Sequence, residues 1–106
     1  MTIIGKIKEV YKDNSLLSIK ELIQENPIEG KEQILKYLRN GKKGAYAPSK
    51  MIDVISGEVI PGELCCYSDG EYGWRSDTIY YFEKYNLKLE EEFIKSLKER
   101  GFYSVC

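Results

Sequence analysis

The strongest candidate nucleophiles in this chain are three thiols, the vicinal pair Cys65 and Cys66 and the terminal Cys106. A thiol becomes a catalytic nucleophile when an imidazole, a cation or a helix N-terminus lowers its pKa, and the sequence holds no histidine. That absence also removes the commonest general base and the commonest metal ligand. Three cysteines with no CxxC spacing and no even count indicate neither a zinc site nor a disulfide framework. The vicinal pair is expected on a strand, one thiol buried and its neighbour facing the other way. The GKKG run from Gly41 to Gly44 lacks the strand, loop and helix order of a phosphate loop, and reads as a helix cap followed by solvated lysines. Asp69 and Glu71 would do acid and base work only in environments that drive their pKa values apart. Flanking a hairpin tip, both are expected in water. No GxSxG, HExxH or paired-cysteine signature is present. These observations point away from an enzyme and imply no metal and no cofactor.

The elements that must position these residues are short. A chain of 106 residues and 12.3 kDa, 42% hydrophobic and 31% charged, makes one domain over residues 1–106 with a single modest core. Ile3, Ile4, Ile7, Val10 and Tyr11 sit at helical spacing and predict a helix over 3–11 despite Gly5. Ser18 and Glu21 form a capping box for a second helix that stops before Pro27. Lys31 to Arg39 reads as a third, with Ile34, Leu35 and Leu38 on one stripe and Gly41 as its cap. From Gly41 to Ser76 the glycines, prolines and serines and the short apolar runs mark strands. Asp69-Gly70 is the strongest turn signal and predicts a hairpin pairing Tyr67 with Tyr72 and Cys65 with Trp74, all four on the core face. A helix capped by Ser76 or Asp77 follows to Asn86, with Ile79, Tyr81, Phe82 and Tyr85 on one arc and Tyr80 on the polar side between Glu83 and Lys84. The last helix carries Glu90, Glu91 and Glu92 in its first turn, the stripe Leu89, Phe93 and Leu97, and Gly101 as cap. The expected fold is α+β, with N- and C-terminal helices around a short antiparallel β-sheet.

Charge is unevenly spread. Residues 51–83 hold seven acids against the single base Arg75, whereas residues 1–50 hold ten bases against six acids. An acidic centre argues against binding to phosphate backbones and suits a basic partner. No apolar run exceeds four residues, so no membrane span or signal-peptide core is expected and the cytoplasm is the default location.

The stretch from Asp53 to Ile94 contains SGE at 56–58, GEL at 62–64, DGEY at 69–72, Trp74, and SD at 76–77 leading into an aromatic helix. In this it resembles small bacterial immunity proteins encoded beside polymorphic toxins of the contact-dependent growth inhibition type. Arg75 and Thr78 depart from that pattern, and the first 50 residues do not contribute to it. The resemblance implies a cytoplasmic protein that binds the C-terminal domain of one cognate toxin, often a nuclease, and occludes its active site or substrate face. Joined to the charge distribution, it makes Asp69, Glu71, Asp77, Tyr80 and Glu83 the expected toxin contacts, with Glu58 and Glu63 behind them. A small regulatory or scaffold module without a toxin is the alternative from another class.

Overall fold

Tyr37, Tyr72 and Trp74 pack around Phe93 with ring centroids 5.1 to 6.2 Å from it, and the elements that carry these four rings define the fold. The computed structural model describes residues 2–47, 51–62, 64–99 and 101. In chain order the elements are β1 (Thr2–Ile3), α1 (Lys8–Tyr11), α2 (Ile19–Leu22), α3 (Lys31–Arg39), β2 (Lys42–Ala47), β3 (Met51–Ile52), β4 (Val59–Ile60), β5 (Leu64–Ser68), β6 (Tyr72–Arg75), α4 (Ser76–Tyr85) and α5 (Glu91–Glu99). Four strands form a sheet in the order β1-β6-β5-β2, and β3 pairs with β4 in a separate ribbon. The class is α+β. The larger sheet is mixed rather than antiparallel, because β1 runs parallel to β6.

That parallel strand takes Ile3 from the helix expected over residues 3–11, and residues 4–7 form neither helix nor strand. Gly5 adopts φ +71°, a left-handed conformation that ends any helix or strand passing through it. It also lies so close to α4 that a Cβ there would stand 2.2 Å from Thr78 Cγ2. The Gly5 N–H donates to the Glu90 carboxylate, and Ile4 N donates to Gly73 O at 2.8 Å. Pairing across 70 residues of chain thus overrides a local helical period, and only the single turn α1 remains helical.

The other helices follow their local signals, except that Arg75 stands at the N-cap of α4 with no side-chain cap, and Ser76 and Asp77, expected there, lie in its first turn. Ser18 caps α2 with the full capping box, α3 spans Lys31–Arg39, and α5 buries Phe93 and Leu97 with Leu89 just before it. Asn40 rather than Gly41 ends α3, and Lys42 and Lys43, expected as solvated lysines, are exposed strand residues opposite Ser68 and Tyr67. The β5–β6 hairpin forms, with its register displaced. The two turn residues are Gly70 and Glu71, because Gly70 at φ +97° supplies the positive angle at the first turn position. Tyr67 therefore faces Trp74 instead of Tyr72. The displacement moves each partner by two residues, so every side chain keeps its face. Tyr72 and Trp74 are buried, Cys65 and Tyr67 are half-buried, and Cys66 points outward and is exposed. Cys106 lies outside the described residues. Among the described residues, no helix is long and apolar enough to cross a membrane, and no group of three or more potential ligands could hold a metal ion.

Candidate functional site

The β3–β4 ribbon is where the molecule departs from the ordinary pattern of apolar side chains inside. Met51 pairs with Ile60 and Ile52 with Val59. Strand alternation turns Met51 and Ile60 into the core, and it turns Ile52 and Val59 out. The connecting loop adds Val54 and Ile55. Ile52, Val54, Ile55 and Val59 are 47%, 40%, 42% and 56% exposed, and they are four of the five large hydrophobic side chains left exposed among the described residues. Single exposed apolar groups are ordinary, whereas four gathered on one ten-residue hairpin single it out as the candidate surface.

The hairpin is fixed to α4 by Asp53. The alternation that buries Met51 also turns Asp53 inward, and its side chain is fully buried. One carboxylate oxygen, Oδ1, accepts the N–H groups of Ile55 at 2.8 Å and Ser56 at 3.1 Å. This is the side-chain turn that Asp makes with its own backbone. The other oxygen, Oδ2, accepts the hydroxyls of Tyr80 and Tyr85, both at 2.7 Å. Tyr81 completes the attachment, its hydroxyl accepting from Val54 N and donating to Ile52 O. Asp53 N and O close the loop through Glu58 O and Gly57 N.

Burial alone pushes the Asp53 carboxyl up. The hydroxyls of Tyr85 and Tyr80 and the amides of Ser56 and Ile55 outweigh it and hold the carboxyl well below the usual carboxylate range. The nearest cation is Lys84, 44% exposed, whose Nζ lies 3.8 Å from Oδ2 and donates to the Tyr80 oxygen at 3.1 Å. That hydrogen bond raises the Lys84 pKa, while hydrogen bonding to Asp53 raises that of Tyr85 and burial followed by Asp53 raises that of Tyr80.

The sequence-derived contact residues are scattered by the fold. Asp69, expected in water at a hairpin tip, is 1% exposed. It accepts the N–H groups of Glu71 and Tyr72 on one oxygen and the Tyr37 hydroxyl on the other. Asp77 is buried too, paired with Arg75 at 2.9 Å, and burial pushes its carboxyl up against the pull of that guanidinium. Arg75 also lies 5.3 Å from the centroid of the Tyr11 ring. Both aspartates are corrected from surface contacts to interior groups, since each satisfies backbone or guanidinium donors that would otherwise be unpaired. Glu83 is exposed and ion-paired with Arg39 of α3. Tyr80 is half-buried, its polar side covered by the β3–β4 hairpin. Glu58 and Glu71 are exposed, the first in the β3–β4 loop and the second in the β5–β6 turn. Glu63 lies outside the described residues. The acidic segment is thus not one acidic face, for three of its seven carboxylates are internal.

Sequence reasoning missed Asp53, Tyr85 and Lys84 as a unit. The run Asp53-Val-Ile-Ser-Gly57 carried a signal, since Asp four residues before Gly between apolar pairs is a turn pattern. Nothing local shows that the Asp faces two tyrosines. No protein-family model, curated protein or solved structure matches the chain.

Proposed function

We propose that the chain is a non-catalytic, cytoplasmic immunity protein that binds the C-terminal domain of a cognate bacterial toxin and occludes its active or substrate-binding face. The observation that supports this reading best is the β3–β4 hairpin, which exposes Ile52, Val54, Ile55 and Val59 while a buried carboxylate with four hydrogen-bond donors fixes its backbone. A rigid loop that carries its apolar side chains outward loses little conformational entropy when a partner covers it. Of the motifs that resemble immunity proteins, the one at 56–58 lies within this hairpin and those at 62–64 and 69–72 follow it in sequence.

The charge argument narrows accordingly. Asp69 and Asp77 are withdrawn as contacts by their burial, and Arg39 offsets Glu83. Glu58 stands in the contact loop, with Glu63 and Glu71 as the other acids that would steer a basic toxin face towards it. In this reading aliphatic groups supply the buried contact area, and carboxylates supply the rate of encounter.

The test is co-expression of the chain in a bacterial host with the toxin domain encoded immediately upstream. Restored growth, lost on changing Ile52 and Val59 together to Ser, is the expected result. If the chain binds that domain without protecting, it is an interaction module of another kind, and if it neither binds nor protects, the reading is wrong.

A further inference from the structure

Asp53 is a fully buried anion whose charge meets no buried cation among the described residues. Four donors satisfy its oxygens, yet the nearest positive charge belongs to a surface lysine. The Lys84 ammonium donates to Tyr80, and the Tyr80 hydroxyl donates to Asp53, so a chain of polarised hydrogen bonds carries the negative charge to the surface. Tyr85 donates to the same carboxylate oxygen, and the ammonium stands 5.5 Å from the ring centroids of both Tyr80 and Tyr85. Phenols that donate to an anion have electron-rich rings, which strengthens their attraction for a cation within about 6 Å.

We propose that the corner made by Asp53, Tyr80 and Tyr85 is a receptor for a lysine side chain of a partner protein, with Lys84 as a resident stand-in that the partner's lysine displaces. Lys84 is 44% exposed on a long, flexible stem. It returns to water at small cost once displaced.

Two features select a lysine. The acceptor that meets the Lys84 ammonium is the single Tyr80 oxygen, which suits one N–H of a primary ammonium. A guanidinium binds best to two oxygens of one carboxylate, and both oxygens of Asp53 already hold two donors each. The charge complementarity therefore fits a partner surface that presents a lysine.

The inference rests on the proposed function only in taking the partner to be a protein, and the corner is tested without any toxin. Lys84→Ala empties the site, and n-butylammonium serves as the lysine side chain, with 1-butanol as its neutral counterpart. The expected result is saturable movement of the Tyr80 and Tyr85 ring resonances with n-butylammonium in this variant. Binding of 1-butanol should be about tenfold weaker, and the parent protein should bind the ammonium several-fold more weakly than the variant, as competition with Lys84 requires. Adding Tyr80→Phe to Lys84→Ala keeps the ring and removes the acceptor, and it should abolish the preference for the ammonium. No ring response in Lys84→Ala, equal binding of the alcohol, or an unchanged preference after Tyr80→Phe would overturn the proposal. Failure here leaves toxin neutralisation through the aliphatic hairpin standing, and failure to protect cells leaves the lysine site standing.

Discussion

The two hairpins of this protein use one device for two ends. In each, an aspartate at the start of the turn accepts two backbone amides on one oxygen and tyrosine hydroxyl on the other: Asp69 from Glu71, Tyr72 and Tyr37, and Asp53 from Ile55, Ser56, Tyr80 and Tyr85. The β5–β6 hairpin then lays Tyr72 and Trp74 against Phe93, and its aspartate stands beside the aromatic core. The β3–β4 hairpin buries only Met51, Asp53 and Ile60 and turns its remaining aliphatics to solvent. The same buried carboxylate that closes a core turn in one place holds out an apolar surface in the other. A buried charge costs free energy that a structure recovers through satisfied donors. In β5–β6 that arrangement sustains the fold, and in β3–β4 it sustains the shape of a loop.

The largest effect is expected at Asp69. Asp69→Ala leaves two amides and the Tyr37 hydroxyl without that acceptor beside the core, and should remove about 3 to 5 kcal/mol of stability in urea unfolding. A loss below about 1 kcal/mol would show that the turn repairs itself with water and that the likeness between the two aspartates is superficial.

Asp53→Asn should cost less, about 2 kcal/mol, because the Asn oxygen still caps the turn while its amide faces the two hydroxyls. Its signature is local: faster hydrogen exchange at Ile55, Ser56 and Gly57, with Trp74 fluorescence unchanged. The same variant separates the hairpins by pH. A carboxyl held low in the folded state stabilises fully above its unfolded pKa, and that contribution disappears as pH falls through its folded value. The stability difference between parent and Asp53→Asn should therefore be constant near neutrality and shrink on acidification below the ordinary carboxylate range. Asp77 and Glu90, both pushed up first by burial, act with the opposite sign in parent and variant alike and cancel from the difference.

Alternate residues of one ribbon should divide in the same way. Ile60→Ala opens a cavity and should cost about 2 to 4 kcal/mol. Changing Ile52 and Val59 together to Ser should shift stability by no more than about 1 kcal/mol, since about half of each residue is already exposed to water. Thermal unfolding of the two variants against the parent measures both effects, and equal losses would remove the distinction between an inner and an outer face.

What could be read from the sequence was local. The Ser18 and Glu21 capping box, the bounds of α3 and the Leu89, Phe93 and Leu97 stripe rest on contacts three or four residues apart, and each is present. The helix expected over 3–11 is cut back to the turn Lys8–Tyr11, because β6, far along the chain, recruits Thr2 and Ile3 as a parallel strand and Gly5 turns left-handed after it. The burial of Asp69 and Asp53 was invisible for the same reason, as their tyrosine donors lie 32, 27 and 32 residues away. A polar residue beside glycine looks like a wet turn until the distant hydroxyl is known. Tyr80 was read on the polar side of α4, and the helical geometry behind that reading holds; the hairpin that covers it comes from another segment.

The most direct test of the display hairpin is a hydrogen-exchange footprint of the chain with and without the toxin domain proposed as its partner. Added protection confined to Ile52–Val59 and the Tyr80–Tyr85 side of α4, with the Gly70–Glu71 turn unchanged, is the expected result. Protection that falls instead on residues 31–47 and spares the β3–β4 hairpin would contradict the account.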